Sequence, residues 1–339
     1  MRPLRTGTEN YSLHLIRALL KAGGGHHYRL YFNLPVGHRQ PPPFPPGPWE
    51  ARVIPFPRLW THLRLSWEMA QHPPDLLFVP AHVLPLLHPR RSVVTVHDLG
   101  FRFFPQAHRT LDRWYLEWST RYHARAAAHL LADSEATKRD LIELYGVPPE
   151  RITVVYPGRD ESLQPVADPD AIAQIKKRYG IGGEYILHIG TLHPRKNLAH
   201  LVEAFALLRE GLPQGSAWRL VLAGRKGWLY EPLFRRIAEL GLEEEVIFTG
   251  YVPQPDLAPL LSGARCFAFP SLYEGFGFPV LEAMSCGTPV VCSNASSLPE
   301  VAGDAALLVD PQDTQAWAEA MERVLTDGEL RRSLIQRGY

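Results

Sequence analysis

The chain alternates between stretches whose apolar residues recur at helical spacing and short apolar runs of strand length. Residues 9–21 put Tyr11, Leu15, Ala18 and Leu19 on one face, the three-to-four spacing of an amphipathic helix. Residues 28–32 predict a short strand, and 76–79 and 93–96 are further runs of that length. Residues 109–128 predict a helix and 129–132 a strand, after which Ser134 is a residue type able to cap the next helix. Residues 152–156 close this set at the turn Pro157-Gly158. The proline-dominated tract 40–48 fits neither a helix nor an inner strand and predicts a semi-rigid surface loop.

A polar stretch with Pro165 and Pro169 follows, and then the alternation restarts. Strands are predicted at 185–189, 220–223, 246–249, 266–268, 289–292 and 306–309. Helices are predicted at 199–208, 232–240, 278–285 and 314–325. Alternation of this kind predicts parallel sheets covered on both faces. Two such sets give a first domain over residues 1–160, a linker over 161–181 and a second domain over 182–339. Each is expected to be a doubly wound, Rossmann-like α/β domain. Ligands bind such sheets beyond the carboxyl ends of the strands, so two domains facing each other predict a cleft for a ligand. A doubly wound domain normally opens with a strand, and residues 1–6 are too polar for a buried one. The first strand, and a closing helix that crosses back to the first domain, are therefore expected to be missing.

Composition narrows the choice of chemistry. With 45% hydrophobic and 21% charged residues, the chain resembles an ordinary globular protein. No apolar run approaches the roughly 18 residues of a membrane span, and MRPLRTGTENY carries no apolar signal core. Cys266, Cys286 and Cys292 suit buried free thiols in a reducing compartment, so a cytoplasmic location is expected. A net charge of +1 gives no reason to expect nucleic acid as a partner. That charge is unevenly divided: residues 1–160 hold 20 Lys/Arg against 13 Asp/Glu, and 161–339 hold 16 against 22. Either this is scatter between two domains, or a basic first domain meets a phosphorylated or membrane-borne acceptor at the inner membrane face.

The strongest motif is Glu274-Gly-Phe-Gly-Phe-Pro-Val-Leu-Glu282. It reads as a strand-to-helix turn, with Pro279 in the first helical turn. Gly275 and Gly277, flanking Phe276, allow backbone amides to approach a ligand closely. A helix start of this kind suits a diphosphate, and Glu274 and Glu282 suit hydrogen bonds to hydroxyls on either side of it. The second motif is Gly190-Thr191-Leu-His-Pro-Arg195-Lys196-Asn197, where two cations follow a strand and can neutralise a departing diphosphate. His97-Asp98 after strand 93–96, and Gly7 ahead of the first helix, are weaker signals that a capped turn and an ordinary helix cap would also explain. The sequence contains no G-x-G-x-x-G fingerprint, P-loop or H-E-x-x-H motif, and no metal-ligand spacing.

Together these motifs resemble glycosyltransferase family 4, often called glycosyl transferases group 1, whose fold is GT-B. Glu274–Glu282 resembles the family's E-x7-E motif. Its flanks, the segment Gly190–Asn197, Val96-His-Asp-Leu99, Val155-Tyr-Pro-Gly158 and Leu298-Pro-Glu300-Val are similar to further stretches of the family. The resemblance implies a retaining, metal-independent transfer of a sugar from a GDP- or UDP-linked donor to a glycan or lipid-linked hydroxyl. Likeness to bacterial polysaccharide mannosyltransferases implies mannose as the sugar. No cofactor is implied. The implied roles place Glu282 on the ribose, Glu274 on the donor sugar, and Arg195 and Lys196 by the diphosphate. They also place His97 near the transferred sugar and Gly7 in a close-approaching loop. Gly190, Thr191, Gly275, Phe276 and Gly277 would line the donor site. Thr191 departs from members with Arg after that glycine, and Glu9 stands where a second glycine is frequent. The competing readings are a non-catalytic nucleotide-sugar module and another GT-B enzyme such as an epimerase.

Overall fold

A computed structural model describes residues 7–34, 43–81, 83–107, 109–211, 217–227 and 229–339. The chain divides into two compact units. One runs up to Leu99 and includes Thr110–Pro157; the other joins Gly100–Arg109 to Gly158–Tyr339.

The first unit begins with helix α1 (Gly7–Ala22) and a two-stranded parallel sheet of β1 (Tyr28–Phe32) and β2 (Trp49–Val53). A π-helical turn at Thr61–Leu65 runs into α2 (Ser66–Gln71). A four-stranded sheet follows, in the order β3 (Leu77–Val79), β4 (Ser92–Val96), β5 (His129–Ala132), β6 (Ile152–Val154), all parallel. The short α3 (Gly100–Phe103) clusters with the second unit, and Phe103 stacks on Tyr273 there. Helices α4 (Thr110–Ala126) and α5 (Glu135–Tyr145) flank β5 in the chain; α5 packs on β5 and β6, and α4 packs on α5. Ser134 caps α5 by accepting from Thr137 N at 3.0 Å, and Gly146 ends it in the left-handed conformation. β4 is buried along almost its whole length, with Val94 and Val96 fully enclosed, as an inner parallel strand must be.

The second unit holds α6 (Pro169–Arg178), β7 (Glu184–Ile189), α7 (Leu198–Gly211), β8 (Trp218–Ala223), α8 (Glu231–Glu239), β9 (Val246–Gly250), α9 (Gln254–Ser262) and β10 (Cys266–Phe269). It continues with α10 (Phe278–Ser285), β11 (Val290–Ser293), α11 (Leu298–Ala302), β12 (Ala306–Val309), α12 (Thr314–Thr326) and α13 (Gly328–Gly338). Its six-stranded sheet is parallel, in the order β12-β11-β10-β7-β8-β9. Alternate residues feed two separate cores. Ile186, Leu220, Leu222, Cys266 and Ala268 pack with α7 and α12 on one face. Leu187, Val221, Ala223, Phe267 and Phe269 pack with α9 and α10 on the other. The strand order reverses between β7 and β10, the switch point where open α/β sheets bind ligands.

Several expectations shift. Residues 161–181, read as linker from their prolines, contain α6. Pro169 occupies the first helical positions, where a missing N–H costs nothing; Asp168 accepts from Asp170 N at 3.0 Å, and Ile175 is buried. Strand β2 lies just beyond the proline tract; its sequence, WEARV, is too polar to stand out. Residues 1–6, where no opening strand is expected, lie outside the described residues, as do 40–42 of the proline tract. The helical pattern at the end of the chain is α13, which packs on α10 and α12 within its own unit. All three cysteines are free and buried.

Candidate active site

The loops after β7 and β10 meet at the switch point, and their side chains form one charged cluster. After β7, His193 Nδ1 accepts from Arg195 N at 3.2 Å and starts a single turn, Pro194–Lys196. Asn197 ends that turn in the left-handed conformation and donates to Pro311 O at 2.6 Å. Arg195 O accepts from Leu272 N at 2.9 Å, tying this loop to the one after β10. Arg195 Nη1 donates to Tyr273 O at 2.6 Å and to Glu274 Oε2 at 3.1 Å. Lys196 Nζ donates to Glu274 Oε1 at 2.5 Å and lies 4.7 Å from the centre of the Phe269 ring.

Lys196 and Glu274 are both buried. Burial alone would raise the Glu274 pKa, but the charges of Lys196 and then Arg195 outweigh it and hold the carboxyl below its ordinary range. The ion cluster is therefore fixed in its charged form. Two serines brace the glutamate's backbone: Ser296 Oγ accepts from Glu274 N at 3.1 Å, and Ser297 Oγ donates to Glu274 O at 3.0 Å and to Phe276 O at 2.6 Å. Gly277 starts α10 at φ 119°, and a Cβ there would meet Leu298 Cδ2 at 2.8 Å. The positive φ requires glycine, and a Cβ would in addition push the end of the Leu298 side chain aside.

Glu282 takes no part in this cluster. It is half-buried in α10, and burial, with Asp160 nearby, pushes its pKa up to about 7. Glu274 and Glu282 therefore present two different carboxyls, one held ionised and one close to half-protonated at neutral pH. Gly190 packs against a further residue, His188. A Cβ at Gly190 would meet His188 Nε2 at 3.1 Å and Lys196 Cε at 3.4 Å. His188 is fully buried; its Nδ1 bonds Ala268 O at 3.1 Å, and its Nε2 has no partner among the described residues. Burial, and next the Lys196 charge, lower its pKa to about 3. Thr191 is exposed beside Gly190.

In the first unit, His97 leaves the carboxyl end of β4 and Asp133 that of β5. His97 Nδ1 is 2.7 Å from Asp133 Oδ2, and its Nε2 is 3.0 Å from Pro80 O. Tyr11 of α1 packs edge-on against the imidazole at 4.6 Å. Burial pulls the pKa down, but Asp133 overrides it and holds His97 above its ordinary value. Asp133 Oδ2 and Pro80 O are both acceptors, so each contact is a hydrogen bond when the ring nitrogen facing it carries a proton. Gly7 is the exposed first residue of α1, with open space where a Cβ would stand.

"Glycosyl transferases group 1" matches residues 172–339 and "Glycosyltransferase Family 4" matches residues 5–163. The O-antigen chain mannosyltransferase B of Escherichia coli is 35% identical over 283 residues, covering 83% of this chain and 73% of that protein. The chain belongs to this glycosyltransferase family. The O-antigen chain mannosyltransferase RfbU of Salmonella typhimurium is 28% identical over 265 residues, covering 78% of this chain and 68% of that one. Among solved structures, Anabaena HepE in complex with UDP and glucose matches with a TM-score of 0.72 at 21% identity, covering 98% of this chain and 90% of HepE. The fold is therefore GT-B, with two Rossmann-like domains.

For this glycosyltransferase the structure brings together Gly190, Arg195, Lys196 and Glu274. Gly275, Phe276 and Gly277 lie in the same turn, while Glu282 stands apart electrostatically. Sequence reading missed Ser296, Ser297, His188, Asp133 and the segment Gly224–Gly227. A Cβ at Gly224 would lie 1.9 Å from Gly190 O, and one at Gly227 would lie 2.6 Å from Leu192 O. The two glycines between strand and helix were the available signal. Among the described residues no helix is long and apolar enough to cross a membrane, and no group of three or more His, Cys, Asp or Glu could hold a metal ion.

Proposed function

We propose that this glycosyltransferase transfers mannose from GDP-mannose to a hydroxyl of a glycan or lipid-linked acceptor, keeping the anomeric configuration and needing no metal ion. The observation that carries the reading is the Arg195–Lys196–Glu274 cluster at the switch point beside the start of α10. Charge builds on the leaving diphosphate as the glycosidic bond breaks. Two fixed cations and the positive end of a helix can stabilise it without reorganising, so no divalent ion is required. Glu274, held ionised, accepts hydrogen bonds from hydroxyls of the donor sugar, and Glu282 accepts them from the ribose. Gly190, Thr191, Gly275, Phe276 and Gly277 line the donor site, His97 lies near the transferred sugar, and Gly7 lets the first loop approach it. The names of the two O-antigen relatives support mannose. UDP-linked donors are the alternative; HepE was solved with UDP and glucose. We place the protein in the cytoplasm with a peripheral membrane contact through its basic first domain, and donor binding in the second unit, to which α6 belongs.

The test is proton NMR of the product formed from GDP-α-mannose with a lipid-linked acceptor. An α-mannoside supports the assignment; a β-mannoside would remove the retaining mechanism, and no transfer from any nucleotide sugar would favour a binding module.

A further inference from the structure

The first unit carries an apolar surface that none of the site residues uses. Helix α4 buries only Ser119, Thr120, His123 and Ala124. Leu111, Trp114, Tyr115 and Trp118 recur at the three-and-four spacing of one helical face, and all four are exposed, Leu111 at 82% and Trp114 at 66%. Trp118 stacks on Tyr122 at 5.9 Å, prolonging the stripe by a turn.

Two other segments extend it. His62, in the turn before α2, bonds Tyr115 Oη at 2.8 Å and packs against Trp118 at 5.4 Å. From that turn and α2, Leu63 and Trp67 project outward, Trp67 at 60% exposure. Tyr122 Oη donates to Leu86 O at 2.9 Å, and Ser66 Oγ accepts from Leu86 N at 2.8 Å and from Leu87 N at 3.2 Å. These bonds pin exposed Leu86 and Leu87 to Ser66, the chain neighbour of Trp67. An open cavity of about 360 Å³ between Met69, Pro73 and Leu86–Pro89 continues the apolar surface. Contiguous exposed patches of this kind mark interaction sites.

The charge around the patch selects its occupant. Residues 58–71, 86–91 and 110–125 together carry seven arginines against three acids. A second copy of this chain would set one arginine rim against another. A glycan would use the aromatic rings, but leucines make up about half of the patch and offer a sugar ring no flat face for stacking. Trp and Tyr at headgroup depth, leucines among acyl chains and arginines at phosphates form the pattern of an interfacial helix. We infer that this face, built by α4, the Thr61–Leu65 turn, the start of α2 and residues 86–87, docks the enzyme on the surface of an anionic phospholipid bilayer. The inference rests on the peripheral membrane contact proposed above and assigns it to named residues.

The test is flotation of the full chain with vesicles of phosphatidylethanolamine and phosphatidylglycerol, against neutral phosphatidylcholine vesicles, at low and high salt. Wild type should bind the anionic vesicles and be released by salt. The triple variant L111S/W114S/W67S should lose more than about tenfold in vesicle affinity, and R113E/R125E should lose binding most strongly at low salt. Both should keep wild-type melting and transfer to a water-soluble acceptor. Equal vesicle binding by wild type and the triple variant would overturn the assignment of this face while leaving the membrane contact in place. No binding by wild type would overturn both. A dimer that the triple variant abolishes, without vesicle binding, would hand the face to a second copy.

Discussion

Replacing Lys196 by Met tests whether the cluster is held together by its charges. The substitution keeps the length of the side chain and removes the ammonium from Glu274 Oε1, 2.5 Å away in a buried setting. Removing one partner of a buried pair costs about 3–5 kcal/mol. Arg195 remains at 3.1 Å, so the loss should sit near the low end, about 3 kcal/mol. At about 2–4 °C per kcal/mol for a unit of this size, that is a fall of about 6–12 °C in melting temperature. The effect should depend on pH. Glu274 has a folded pKa below its ordinary 4.5, so it contributes stability above that value and loses it as pH falls through the folded pKa. The gap between wild type and variant should therefore narrow in acid. Urea denaturation followed by circular dichroism from pH 3 to 8 measures it, with Glu274→Gln and the double variant completing a cycle. A coupling above about 1.5 kcal/mol is expected, and turnover at saturating donor should fall at least about 100-fold. Additive single effects within about 0.5 kcal/mol, with near-normal turnover, would refute the reasoning.

Glu282→Ala should weaken nucleotide binding by about 1.5–3 kcal/mol, read by calorimetry with GDP and UDP; unchanged affinities would remove the ribose role. The same carboxyl, raised to about 7 in the fold, should make wild type lose stability as pH rises from about 4.5 to 8, and Glu282→Gln should flatten that slope in urea titrations. His188, lowered to about 3, must stay neutral in the fold. Stability should therefore fall as pH drops below about 6.5, by up to about 4 kcal/mol near pH 3, and His188→Phe should remove that part of the acid loss. Transfer should continue in excess EDTA; inhibition reversed by Mg²⁺ or Mn²⁺ would contradict the metal-free mechanism.

The inner parallel strands of the second unit were legible because both their faces are buried. The inner runs Cys266–Phe269 and 290–292 are buried throughout and have no polar alternation to obscure them. β2 and α6 were hidden for the opposite reason, since each is short, half-exposed and next to proline. In the site, Arg195, Lys196 and Glu274 were legible as residues beside a strand end, but their mutual pairing was not. It depends on β7 and β10 being neighbours, which local sequence does not encode. The same holds for His97, whose partner Asp133 lies one strand along. His188 looked like an ordinary inner-strand residue, and only the close approach of Gly190 sets it apart.

The claim that the switch-point cluster holds the donor is tested most directly by isothermal titration of GDP and GDP-mannose into wild type, Lys196→Ala and Glu274→Gln. Lys196→Ala should lose affinity for both ligands, because the diphosphate is common to them. Glu274→Gln should lose affinity for GDP-mannose while binding GDP nearly as wild type does, because its role is on the sugar. Equal affinities for both ligands across all three proteins would contradict the account.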